Sequence, residues 1–192
     1  MTEKRDARGT LSRADWEIAA IQALIEGGPP AVAVEPLARV LGVSKGSFYW
    51  HFSSRDELVR SALERWESLV VAQKIAELGE IPDARERLKA LFNSTLRPES
   101  VRRGWKVTVA LSAYASDPLV EPVLQRVTQA RLAYLEDSYQ ALGHSSEEAR
   151  RRATVTYAAM LGLVQLLNDA PAHLTDERLD GAYHLLQQLF LS

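Results

Sequence analysis

With 192 residues the chain can hold one large domain, or a small unit beside a larger one. Its 46% hydrophobic and 25% charged residues are the balance of a globular protein and exclude a disordered one. A net charge of −2 excludes a global positive field, so any nucleic-acid contact has to come from a local basic patch, and the absence of cysteine excludes disulfides, thiolate metal sites and a cysteine nucleophile.

The opening MTEKRDARG lacks the apolar run of a signal peptide, and no segment offers about 18 uninterrupted apolar residues, which predicts a soluble, cytoplasmic protein without a membrane partner. Strand alternation is missing and the pattern is helical nearly throughout. Ser12, with Asp15 three residues on, opens a first helix carrying Trp16, Ile18, Ile21, Leu24 and Ile25, and Gly27-Gly28-Pro29-Pro30 ends it. A short piece runs from Glu35 to Leu41 and into Gly42. Another begins at Ser44 and ends near Phe52; both are too short to stand alone. Ser53 and Ser54 cap a long helix bearing Leu58, Ala62, Trp66, Leu69 and Val70, about 37 Å long if it continues to Leu78. Pro82-Asp83 with Glu86, Arg97-Pro98, and Asp117-Pro118 each mark a new start, the third helix beginning near Glu121 because Pro122 sits one turn in. Gly143 closes that helix, Ser145 with Glu148 opens one that runs to Pro171, and Thr175-Asp176-Glu177 starts the last, which ends near Phe190. The sum is an all-α chain of about nine helices: a small N-terminal unit over residues 1–53, and a helical bundle over 54–192 reached through the long fourth helix.

Val34 to Phe52 reads as helix, turn, helix. Leu37 and Leu41 lie four apart and face inward, Ala38 is small where a second helix crosses, and Gly42 can take the positive φ that reverses the chain. That is the spacing a helix-turn-helix requires, although many packing corners also meet it. The longer run LARVLGVSKGSFYWHFSSRDELV resembles the TetR family of bacterial transcriptional regulators: an Ala-containing helix, a Gly-Val turn, Ser-Lys-Gly, an aromatic-Tyr-x-His-Phe run and a polar start to the fourth helix. The resemblance covers residues 12 to about 60 and is supported by the helix layout of the whole chain. It implies a homodimeric, sequence-specific DNA-binding transcriptional regulator, a repressor with a palindromic double-stranded operator as partner, relieved by a small-molecule effector bound in the C-terminal helical domain.

On a short helix from Ser44, Phe48 and Phe52 lie four apart and point into the small core, leaving Lys45, Tyr49 and Trp50 on other faces. Lys45 and Gly46 stand at the end that reaches base edges, and Gly46 has no Cβ to hinder close approach. Tyr49 and His51 can donate to phosphate oxygens, and Arg55 stands beside the Ser53-Ser54 cap. The resemblance assigns base reading to Lys45, Gly46, Ser47, Tyr49 and Trp50, and backbone clamping to Tyr49, His51 and Arg55. The competing reading has Tyr49 and Trp50 completing the core and Lys45 solvated. The family commonly starts its second helix with Thr, but here Ala33-Val34 precedes Glu35-Pro36, so a cap is lost and an acid stands near the DNA side. Lys4, Arg5 and Arg8 could form a minor-groove arm or simply a solvated tail.

The penultimate helix, YAAMLGLVQLLNDA from Tyr157, is apolar almost all round, as for a helix buried on two sides. Ala158, Leu161 and Gly162 on it, with Leu179, Tyr183, Leu186 and Phe190 on the last helix, form the expected dimer interface, and the alternative is a monomer with a large apolar core. Amphipathic side chains in the same region, Trp66, Trp105, Tyr114, Tyr134, Tyr157, Met160 and Gln165, are the candidate effector wall, although aromatics at helical spacing also serve as core. The four histidines are scattered, so no metal and no cofactor are expected. No GxSxG, Walker or GxGxxG pattern occurs, so no enzymatic role is expected. The rival to a regulator is an all-helical small-molecule carrier or enzyme with a fortuitous helical hairpin.

Overall fold

The structure, a computed structural model, describes residues 11–96, 99–173 and 175–190, with residues 95, 96, 99–103, 176 and 190 as backbone only. Lys4, Arg5, Arg8, the Arg97-Pro98 breaker and the side chain of Phe190 lie outside the described residues.

Helix α1 (Arg13–Ala31) opens with the expected box: the Ser12 hydroxyl accepts from the Asp15 N–H while the Asp15 carboxylate accepts from the Ser12 N–H at 2.7 Å. Gly27 and Gly28 leave helical geometry, Gly28 at φ +66, and Pro29 to Ala31 form a last, offset turn. Helix α2 (Val34–Val40) has no side-chain cap, as Ala33 dictates, and Gly42 turns the chain at φ +70 into α3 (Lys45–Tyr49). Helix α4 starts as Arg55–Glu67 with Ser54 accepting from the Glu57 N–H, passes through a π-helical stretch, Ser68–Ala72, and resumes as Gln73–Gly79. The π stretch has no sequence breaker. It lies where the helix carrying Gly104 comes close, since a Cβ on Gly104 would stand 2.8 Å from Val70 Cγ1.

Asp83 caps α5 (Ala84–Leu96) through the Glu86 N–H at 2.9 Å; α6 (Glu99–Ser112), α7 (Glu121–Ala141), α8 (Ser146–Asp169, capped by Ser145) and α9 (Asp176–Phe190) follow. No strand occurs among the described residues. Helix α1 packs on α4 and α6, and α7 pairs along its length with α8.

Two buried clusters hold the chain together. The first gathers Trp16, Ala20, Leu24, Leu37, Phe48 and Phe52 around Leu58, Ala62, Leu63 and Trp66 of α4, and continues into Val107, Leu111, Val120, Val123 and Val127. The small N-terminal core is therefore not sealed off: α4, α6 and α7 complete it. The second gathers Leu88, Phe92, Trp105, Leu135, Tyr139, Ala153, Met160, Val164, Leu179 and Tyr183.

Candidate nucleic-acid interface and effector cavity

The Phe48 and Phe52 rings stack 5.6 Å apart, with Trp16 edge-on to Phe48 at 5.4 Å. Both phenylalanines are fully buried, each contributing about 1.5–3 kcal/mol. With that face spent on the core, the rest of α3 turns outward: Tyr49 is 59% exposed and Trp50 88%, so neither completes the core. Lys45 and Gly46 are exposed, and Ser47 and His51 are half-buried. Gly46 has no neighbour closer than 3.5 Å to a would-be Cβ, so internal packing does not require glycine there. An alanine would be worth about 0.8–1 kcal/mol to an exposed helix, and close approach of an outside surface is what a glycine allows in exchange.

Lys45 donates to Glu35 Oε1 at 2.9 Å. The acid that breaks the family pattern on α2 is thus the ion-pair partner of the lysine on α3. The pairing raises the lysine pKa and lowers that of the carboxyl.

Arg55 departs from its expected role. Its Nε donates to the Val32 carbonyl at 2.9 Å, Nη1 to Asp56 at 2.8 Å and Nη2 to the Pro29 carbonyl. The guanidinium closes the orphan carbonyls at the end of α1 and does not project as a phosphate clamp. The clamp on α3 is a residue that sequence reasoning passed over. Arg13 donates to the His51 carbonyl at 2.6 Å, to Glu57 and Ser61 at 3.2 Å, and lies 4.1 Å over the Phe52 ring, fixing the end of α3 against α1 and α4. Its only sequence signal is an arginine at the first helical position, next to the cap.

A cavity of about 1010 Å³ lies between α1, α4, α5, α6, α7 and α8. Trp66, Trp105, Tyr134, Tyr157 and Met160 line it, with Ile21, Ile25, Leu69, Val70 and Leu91. The Trp66 indole N–H donates to the Gly104 carbonyl at 3.1 Å, tying α4 to α6 at the cavity wall. Tyr114 and Gln165 stand outside. The Tyr114 ring lies over Gly28, where a Cβ would come within 2.0 Å of it, and its hydroxyl donates to the Gly27 carbonyl at 3.1 Å, so the residue locks the α1 kink to the end of α6. Gln165 is exposed and donates to Asp169 at 2.6 Å along α8. Sequence reasoning missed Arg131, which lines the cavity. Its signal was the stripe Val127, Arg131, Leu135 at spacing four, a cation on an inward face.

Val155, Leu166, Leu185 and Leu189 on α8 and α9 are more than half exposed, and Ala158 and Gly162 lie open on the same stripe of α8 as Val155 and Leu166. Leu161 and Leu186 are half-buried against the second cluster. Leu179 and Tyr183 are buried in the second cluster, with the Tyr183 hydroxyl donating to the Lys89 carbonyl at 3.4 Å, while Leu185 and Leu189 lie on the outer side of α9. Among the described residues no helix is long and apolar enough to cross a membrane, and no group of three or more His, Asp or Glu side chains is placed to hold a metal ion.

Residues 19–62 match the family model described as bacterial regulatory proteins, tetR family. No curated protein matches the chain in sequence. Among solved structures, a transcriptional regulator from Rhodococcus sp. Rha1 superposes with a TM-score of 0.77 at 23% identity, over 94% of this chain and 96% of that one. A TetR transcriptional regulator from Legionella pneumophila gives 0.79 at 14% identity, over 95% and 99%. A transcriptional regulator from Saccharomonospora viridis, solved in complex with choline, gives 0.73 at 24%, over 92% and 93%. At such identities these likenesses show the fold. The chain thus carries the pattern of the tetR family model over residues 19–62 and the fold of such solved regulators over nearly its whole length.

Proposed function

We propose that the chain is a cytoplasmic, homodimeric transcriptional regulator, not an enzyme, that binds a palindromic operator and releases it when a small molecule occupies the cavity. Residues 1–53 with the first turns of α4 form the reader, and the remainder the effector and dimer unit. The observation that carries the reading is the face of α3. Tyr49 and Trp50 stand in solvent beside Lys45 and an internally unneeded Gly46, while Phe48 and Phe52 hold the helix from behind. Two large aromatics side by side in solvent at the end of a five-residue helix form an apolar patch that a partner can cover. Lys45, Gly46, Ser47, Tyr49 and Trp50 then read bases, with Tyr49 and His51 contacting phosphates.

The exposed apolar stripe on α8 and α9 supports pairing of two copies about a twofold axis, which places half-sites about 34–36 Å apart. Helix α4 carries both the reader's core residues and the π stretch at the cavity wall, so a ligand that favours one arrangement of that stretch shifts the spacing of the two readers. A hundredfold loss of operator affinity needs about 2.7 kcal/mol of coupling.

Selection from a pool of randomised palindromic duplexes at low salt tests the reading. It predicts an enriched twofold-symmetric sequence that Lys45→Ala and Tyr49→Ala bind weakly. Equal retention of all sequences would instead support a carrier that owns a hairpin by coincidence.

A further inference from the structure

Two of the three cations that line the cavity among the described residues are paired with carboxylates: Lys74 donates to Glu77 at 2.5 Å, and Arg65 lies 3.3 Å from Glu17. Arg131 is the exception. Its Nη1 donates to the Thr108 hydroxyl at 3.0 Å, the Trp105 ring centroid is 4.2 Å from its central carbon, and the Tyr157 ring lies 5.7 Å from that of Trp105. All three are neutral groups. Among the described residues no carboxylate pairs with it. Burial pulls its pKa below the usual arginine value, with Tyr157 opposing, as expected for a cation whose lost hydration is only partly replaced.

We propose that the effector is an amphipathic carboxylate, its anion paired with Arg131 and the Tyr157 hydroxyl and its apolar body laid against Trp66, Leu91, Val107, Leu135 and Met160. The assignment rests on reading the cavity as the effector site. A guanidinium has five N–H donors in a planar fork; one meets Thr108, and a carboxylate can take two more side by side. The apolar groups on the list all line the cavity with Arg131, so one ligand can reach both. A cationic ligand is disfavoured twice: the Trp105 face that would receive it already carries Arg131, and the two like charges would share a site of low polarity. A quaternary ammonium ligand such as choline, with which the Saccharomonospora viridis regulator was solved in complex, is therefore not expected in this cavity.

The test uses three ten-carbon probes, decanoate, 1-decanol and decyltrimethylammonium, titrated below their aggregation limits into the full-length protein by calorimetry. Decanoate should bind at least tenfold more tightly than decanol, the cation most weakly. Arg131→Met should bring decanoate and decanol within about twofold of one another, while Arg131→Lys keeps part of the preference. The ratio within one protein is the readout, so a general loss of stability does not imitate the effect, and the wild-type ratio stands even if a variant fails to fold. Decanol or the cation binding as tightly as decanoate, an unchanged ratio in Arg131→Met, or no binding of any probe up to about 1 mM would each overturn the proposal. Measuring affinity for the selected operator with and without decanoate separates the two readings. Decanoate that binds with the expected ratio but leaves operator affinity unchanged keeps the site and removes its regulatory role. Operator binding without a carboxylate preference does the reverse.

Discussion

Gly28→Ala is the perturbation whose cost the structure divides most clearly. At φ +66 and ψ −164 the backbone lies in a region that glycine alone occupies freely, which costs a residue with a Cβ about 1–3 kcal/mol. The added methyl would also stand 2.0 Å from Tyr114 Cε2 and 2.3 Å from Cζ, an overlap that must be relieved by moving a ring whose hydroxyl is held by the Gly27 carbonyl. Overpacking of that kind costs about 1–3 kcal/mol more. The expected loss in the wild-type background is therefore about 2–6 kcal/mol. In a Tyr114→Ala background the overlap vanishes and only the backbone cost remains, so Gly28→Ala should cost about 1–3 kcal/mol there. Urea unfolding followed by circular dichroism, with all four proteins at one protomer concentration, gives the cycle. Equal cost in both backgrounds would refute the claim that Tyr114 locks the α1 kink to α6.

Three further outcomes follow from the same contacts. Arg55→Ala should lower stability by about 1–3 kcal/mol, because it uncaps the Pro29 and Val32 carbonyls, yet leave the salt slope of operator binding unchanged; a slope reduced by about one unit would restore the phosphate role. Glu57 accepts from the Ser53 hydroxyl and N–H and from Arg13, which hold its pKa at about 2 against an ordinary 4.5, so its contribution is complete above pH 4.5 and lost as the pH falls toward 2. The stability gap between wild type and Glu57→Gln should accordingly narrow between pH 7 and pH 3, and a constant gap in urea midpoints would contradict the assignment. Glu35→Gln frees Lys45 and removes an acid beside the reading face, so operator affinity should rise several-fold at low salt and less at high salt, as a gel-shift titration would report.

What sequence could reveal was set by the range of each interaction. The Ser12–Asp15 box, the Ser54 and Ser145 caps, the Gly42 turn and the inward Phe48–Phe52 pair are contacts within a few residues, and each stands as its spacing foretold. Arg55 misled because its acceptors, Pro29 and Val32, lie 26 and 23 residues away, and the nearby cap was the only partner its neighbours suggested. Tyr114 is the same case at a separation of 87 residues. On α8 and α9 almost every face is apolar, so periodicity could not tell core from interface; packing against α5 takes Leu179 and Tyr183 inward and leaves Leu185 and Leu189 outside. Gln165 failed for a related reason, since an amide on a greasy helix can equally sit at the outer edge beside Asp169.

The central claim is that the outer face of α3 is covered by duplex DNA, and Trp50 reports on it directly. Of the four tryptophans, Trp16, Trp66 and Trp105 are buried and Trp50 is 88% exposed, so acrylamide quenching at low concentration reads Trp50. The account predicts an accessible fraction that disappears when the selected operator saturates the protein, and that is absent from Trp50→Phe with or without DNA. A quenching curve unchanged by saturating operator would mean that DNA binds elsewhere, and would contradict it.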